Sequence, residues 1–316
     1  MAVVGVGEMG RNHARCLASM KGVDLVAVVD SDEERRTAAA TALECQPFSS
    51  FSQLPQIDAA VVAVPTALHA EVGRALMERG VHCLVEKPLA LDRAQAQILI
   101  EAADSANVVL QVGHIERFNP AVRQLEICLE GEQVLVANAR RMSGFSARVG
   151  DIDVVMDLMV HDLDVVLYLM GNQVEDTIAV GVDGAHGFDH VTALVSFEGG
   201  SMASLTASRI TQNQIRKLEV TTKEDFYSVD YSNQELLIFR QGRVDNDGMV
   251  EGRYVLDVDT RRVFVRRTEP LVSELEHFVS VIRGDRENEV DGRQGLNALN
   301  LVWDIQEKLG RSTTTP

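Results

Sequence analysis

The chain is short of several things, and each shortage excludes something. Its four cysteines, Cys16, Cys45, Cys83 and Cys128, are scattered without a CxxC pair or the Cys/His spacing of a zinc site. That excludes a disulfide-stapled secreted domain and a zinc module, leaves no metal site to name, and points to reduced thiols in a cytoplasmic protein. No apolar run reaches the length of a membrane span. The first strand begins at Ala2, which leaves no targeting peptide ahead of it. Basic residues are scarce: 30 against 47 acids, a net charge of −17 with histidine neutral. A groove for nucleic acid or a patch for an anionic membrane needs a basic field, so both partners are excluded. A small anionic ligand is not, because a few arginines in a desolvated cleft outweigh screened surface charge.

The 316 residues are enough for two cores. With 46% hydrophobic residues and a mean hydropathy close to zero, the composition is that of a soluble globular protein. Residues 1–118 alternate apolar strands with helices: "AVVGV", "DLVAVVD", "DAAVVAV", "VHCLVEK" and "VVLQVGH" are the strands. Near-continuous apolar strands separated by helices predict right-handed crossovers and a doubly wound parallel Rossmann sheet. Ser31 is the expected N-cap of the second helix, and Gly80 the expected stop of the third. From about residue 133 the pattern changes to consecutive strands, "QVLVANARRM" through "ELLIFRQ", interrupted by one long helix, "DVVMDLMVHDLDVVLYLMG". This predicts an α+β second domain, 119–316, with a mostly antiparallel sheet.

"GVGEMG" sets Gly5, Gly7 and Gly10 between the first strand and first helix, with Asp30 at the end of the second strand. In that context the glycines make the tight turn, admit a pyrophosphate to the backbone and allow close helix packing, while helix N–H groups meet the phosphates. The cofactor-binding candidates are therefore Gly5, Gly7, Glu8, Met9, Gly10, Asp30, Ser31 and Arg35. Asp30 favours NAD over NADP by binding ribose hydroxyls and repelling a 2′-phosphate, and Arg35 and Arg36 weaken that preference. Ligands of such sheets sit beyond the carboxyl ends of the strands, which adds Pro65, Thr66, His69, Glu86 and Lys87.

In the long helix, Asp153, Asp157, His161, Asp164 and Tyr168 fall on one stripe at i, i+4, i+8, i+11 and i+15. A polar seam on an apolar helix has to serve itself or a ligand. Asp157, one turn before His161, suits a histidine that takes a proton from an alcohol. A solvated helix edge, or a satisfied core histidine, is the competing explanation.

"GVGEMGRNHAR", "VPTALHAE", "EKPLA", "GHIERFNPAV", the "DxxxHDLD" around His161 and "EPLVSELEHFVSVIRG" together resemble the glucose–fructose oxidoreductase/inositol dehydrogenase/MocA family from end to end. The resemblance implies an NAD(P)-dependent oxidoreductase acting on CH–OH groups. It implies that Lys87 and His161 flank the reacting carbinol with Asp157 as the preceding acid, that Lys87–Pro88 is cis, and that the open sheet makes subunit contacts in a homodimer or homotetramer. Either Lys87 or His161 could be the base. "GHIERFNPAV" and "RRMSGFSARVGDIDVVMDLMVHDLD" are more similar to the UDP-N-acetylglucosamine 3-dehydrogenase branch than to inositol or glucose dehydrogenases. That branch oxidises the sugar 3-hydroxyl ahead of a partner aminotransferase, for lipid A or surface glycans. A diphosphate substrate needs cations, so Arg117, Arg140, Arg141 and Arg148 are candidates, with Glu116 and Asn119 beside them. Two alternatives stay open: a same-fold dehydrogenase of a free polyol or another sugar nucleotide, and a non-catalytic NAD-binding regulator.

Overall fold

The structure, a computed structural model, describes residues 1–144, 152–171, 173–184, 187–241 and 258–310. The chain divides into two compact units: Met1–Ile115 with Glu269–Asn300, and Glu116–Thr268 with the chain from Leu301 onward. A single cut at residue 118 does not describe this division, because a late segment returns to the first unit.

In the first unit the order is β1 (Ala2–Val4), α1 (Glu8–Ser19), β2 (Ala27–Val29), α2 (Glu33–Leu43), β3 (Gln46–Phe48), β4 (Ala59–Val62), α3 (His69–Met77), β5 (His82–Glu86), α4 (Arg93–Ala106) and β6 (Leu110–Gly113). The six strands form one parallel sheet in the order β3-β2-β1-β4-β5-β6. The order in which successive strands are added reverses between β1 and β4, and that is the switch point where such folds bind ligands. Three short corrections concern local signals. The strand β3, "QPF", lies at the sheet edge, where Pro47 is tolerated. Asp32 rather than Ser31 caps α2, accepting the Arg35 N–H at 2.9 Å. The helix α3 stops at Met77, and Gly80 closes the turn after it at φ +77°. The returning segment is α7 (Pro270–Ile282), whose Leu271, Leu275 and Phe278 bury into the same core as Val3, Leu17 and Val28.

The second unit contains α5 (Pro120–Cys128), β7 (Val136–Met142), α6 (Val160–Met170) and seven further strands: β8 (Val174–Gly184), β9 (Gly187–Phe197), β10 (Met202–Ser208), β11 (Ile215–Thr221), β12 (Asp225–Asp230), β13 (Glu235–Gln241) and β14 (Val258–Val263). They form an eight-stranded sheet, β14-β13-β12-β11-β7-β10-β9-β8, antiparallel except for the parallel β7–β10 pair. Along β7 the alternation buries Ala137, Ala139 and Arg141 and leaves Asn138 and Arg140 on the other face. That other face is open and partly apolar: Ile178, Val180 and Val182 are 60%, 67% and 54% exposed. The last helix, α8 (Gly292–Lys308), passes from the first unit into the second.

Candidate active site

The glycine loop can be tested position by position. Gly5 adopts φ +90°, and a Cβ there would lie 2.5 Å from the Ala63 carbonyl oxygen. A Cβ on Gly10 would lie 1.8 Å from the Gly5 carbonyl oxygen, so the helix can approach the loop only without a side chain. A Cβ on Gly7, the N-cap of α1, would meet nothing within 4 Å. The first and third glycines are thus required by the protein's own packing. The second faces open space, as it must where a pyrophosphate approaches the backbone. Asp30 accepts the Val6 N–H at 2.8 Å and the Asp32 N–H at 2.9 Å, so it fixes the loop and keeps lone pairs for ribose hydroxyls. Arg35 pairs with Asp32, and Arg36 donates to the Ser31 carbonyl. Glu8 and Met9 are exposed on the first turn of α1, Ser31 and Pro65 are exposed, and Thr66 is half-buried. These residues fit a dinucleotide.

At the end of β5 the Lys87–Pro88 peptide is cis, and Lys87 is half-buried. Glu86 is nearly buried; His13 of α1 donates from Nε2 to its Oε1 at 2.6 Å, and the Lys87 N–H donates to its Oε2 at 3.1 Å. Burial pushes the Glu86 carboxyl up, but the His13 contact and the Lys87 charge more than offset this and hold it below the usual carboxylate range. His69 is not a cleft-lining ligand group. It is buried, with Nδ1 3.0 Å from the Pro88 carbonyl oxygen and Nε2 2.9 Å from that of Val64. It ties the end of β4 to the turn after β5, although burial pushes its imidazole down against the pull of both carbonyls.

In the second unit the long polar helix is not one regular α-helix. Val155–Met159 is π-helical and continues into α6. The wider turn disturbs the expected stripe, and such turns occur often at functional sites. Its members separate by environment. Asp153 caps the helix, accepting the Val155 and Met156 N–H groups at 3.1 Å each and the Gln306 amide at 3.0 Å. Asp157 and His161 are half-buried and stand on the accessible side. Asp164 is buried and accepts from Arg117 at 2.9 Å, and the Arg117 guanidinium lies 3.8 Å over the ring of Tyr168, whose hydroxyl donates to Glu126.

Two of the four arginines expected at a phosphate, Arg117 and Arg141, are committed elsewhere. Arg141 is buried and grips Asp162 with two bonds, 2.8 and 2.9 Å, and Glu116 with a third at 2.9 Å. Burial pushes the Arg141 guanidinium down, yet Asp162 and Glu116 together hold it charged. Burial also pushes Asp162 up; since both of its oxygens accept from Arg141, it is read as the carboxylate. Asn119 donates to Glu116 at 3.2 Å and to the Tyr231 carbonyl at 3.1 Å. Glu116, Arg117 and Asn119 therefore build a satisfied internal network behind the polar helix. Arg140 remains accessible and pairs with Glu219 at 3.0 Å. Arg148 lies outside the described residues. Sequence reading overlooked two partners, Asp162 and His13. Asp162 stands in the sequence as an acid off the polar stripe of an otherwise apolar helix; nothing in the spacing links His13 to Glu86.

Residues 1–114 match the oxidoreductase family, NAD-binding Rossmann fold, and residues 150–313 match the oxidoreductase family, C-terminal alpha/beta domain, of the glucose–fructose oxidoreductase/inositol dehydrogenase/MocA proteins. The chain belongs to this family. Membership makes it an NAD(P)-dependent oxidoreductase acting on CH–OH groups. The UDP-N-acetylglucosamine 3-dehydrogenase of Acidithiobacillus ferrooxidans is 36% identical over 306 residues, 96% of this chain and 95% of that protein. Its solved structure superposes with a TM-score of 0.88 over 98% of this chain and 96% of that one. The inositol 2-dehydrogenase of Rhizobium meliloti is 25% identical over 95% of this chain and 93% of its own length. The WlbA dehydrogenase of Bordetella pertussis, solved with NADH and UDP-GlcNAcA, shares the fold at a TM-score of 0.80 and 23% identity, covering 98% of this chain and 95% of that one.

Proposed function

We propose that this protein oxidises the 3-hydroxyl of UDP-N-acetylglucosamine to a ketone with NAD. The observation that carries this reading is the 36% identity, across nearly the whole of both chains, to a dehydrogenase of that substrate. Asp30, whose carboxylate follows β2 and accepts from the glycine loop at Val6, favours NAD over NADP, and Arg35 and Arg36 of α2 are engaged with Asp32 and the Ser31 carbonyl. NAD, when bound, supplies the acceptor for the hydride that leaves C3.

The chain's own residues handle the proton. Lys87 binds the hydroxyl and stabilises the alkoxide as the C–H bond breaks, and His161, steadied by Asp157, takes the O–H proton. An imidazole ordinarily titrates near neutrality and is suited to that transfer. The balance is one hydride to the nicotinamide, one proton to the base and one C=O formed. A 3-keto sugar is a substrate for transamination, which places an aminotransferase next in sequence.

The reading is tested with a panel of sugar nucleotides and free polyols against NAD and NADP, following reduced nicotinamide. Turnover of UDP-N-acetylglucosamine is expected. Turnover of inositol in its place moves the protein to the polyol dehydrogenases, and no turnover of any UDP-sugar removes the proposed substrate.

A further inference from the structure

Beneath the strand end that carries Lys87 lies a buried set of titratable groups that the proposed chemistry does not use. His13, on α1, is fully buried and donates from Nε2 to Glu86 at 2.6 Å; its Nδ1 has no hydrogen-bond partner among the described residues. Glu86 spends its other oxygen on the Lys87 N–H. The room for that carboxylate comes from Gly113, its neighbour on β6: a Cβ there would lie 3.1 Å from Glu86 Oε2 and 3.1 Å from its Cα. A second carboxyl, Glu274 of α7, is also fully buried, and neither of its oxygens has a hydrogen-bond partner among the described residues.

We propose that His13 and Glu86 are a positioning pair for Lys87: His13 pins a buried carboxylate against the Lys87 backbone, so that the strand end presents its ammonium in one orientation. Three elements, α1, β5 and β6, converge on that carboxylate, and each contributes something a different residue would not: a ring N–H, the carboxylate itself and the absence of a side chain. The two acids are driven apart in charge. Glu86 is held low by His13 and Lys87, whereas burial and then the Glu86 charge push Glu274 well above the usual range. Environments that separate two carboxyls in this way assign them different roles. The negative charge is kept at the residue that touches Lys87. This inference rests on Lys87 being the group that meets the substrate hydroxyl.

The test compares His13→Leu, His13→Gln and Gly113→Ala with wild type, on whichever substrate the wild type turns over. Misplacing a catalytic group by about an ångström costs about 10–100-fold in rate, so His13→Leu should lower kcat by that factor and leave KM for both substrates nearly unchanged. Glutamine restores an N–H donor and should recover most of the loss. Should His13→Leu fail to fold, Gly113→Ala crowds the carboxylate without touching His13 and should reproduce the loss of kcat. Wild-type kcat in either His13→Leu or Gly113→Ala overturns the proposal, as does a loss that glutamine does not repair. Lys87→Ala separates this from the function itself: it should bind NAD and fail to turn over, and if it turns over the assignment of Lys87 fails whatever the pair does.

Discussion

Replacing Glu274 by methionine should stabilise the protein, and by more as pH rises. Its carboxyl is fully buried, with no hydrogen-bond partner among the described residues, and burial together with the Glu86 charge raises it well above the usual range. In the unfolded chain it ionises from about pH 4.3 upward. The folded state then holds one proton more than the unfolded state, and stability falls by about 1.4 kcal/mol per pH unit until the folded group also ionises. The contribution is complete below the unfolded value and is lost as pH climbs towards the folded one. Glu86, held low, has the opposite sign and acts only at more acid pH, so the two windows do not overlap. Above about pH 4.3, Glu274→Met should thus gain about 1.4 kcal/mol on wild type for each pH unit over which the folded carboxyl stays protonated, and Glu274→Gln should remove the same slope while keeping a polar group. The measurement is urea unfolding of all three proteins at matched ionic strength. Parallel stability curves for wild type and Glu274→Met would mean that this carboxyl is neither buried nor neutral, and the reasoning would fail.

Arg141→Met leaves Asp162 and Glu116 buried without their cation and should cost about 3–5 kcal/mol of stability, read as a drop in the urea midpoint. Asp30→Ser removes the acceptor for the Val6 N–H and the carboxylate at the ribose. A charged hydrogen bond contributes about 1.5–3 kcal/mol, so NAD affinity should fall at least about tenfold while use of NADP relative to NAD rises; titration with both cofactors checks it. Val180→Asp puts a charge at the centre of the exposed apolar row Ile178, Val180 and Val182 on the edge strand β8, and if copies self-associate there, light scattering should show the assembly fall to monomers.

What could be read from residues alone was whatever depends on local pattern. The apolar runs of β1, β2, β4, β5 and β6 announce themselves because both faces are covered, and the strands β7 to β13 because one face is. The strand β3 carries a proline in three residues and β14 has the polar run "VDTRRV", so neither shows an apolar period, and both lie at sheet edges. The glycine tasks at Gly5 and Gly10 were legible because motif and context coincide. The fate of the arginines was not. A guanidinium at a strand end looks the same in sequence whether it awaits a phosphate or grips Asp162, since the partner lies 21 residues further along and on another element. The same holds for His13 and Glu86, 73 residues apart. The π-helical turn at Val155–Met159 left no mark either, because its residues are those of any buried helix.

The return of α7 to the first unit also sets the order in which that unit can be completed. Leu271, Leu275 and Phe278 close a core begun by Val3, so a nascent chain leaving the ribosome carries an uncovered flank on its nucleotide-binding half while some 150 residues of the other half are still being made. Synthesis of the second unit is therefore an interval during which the first depends on chaperones or on its own partial fold.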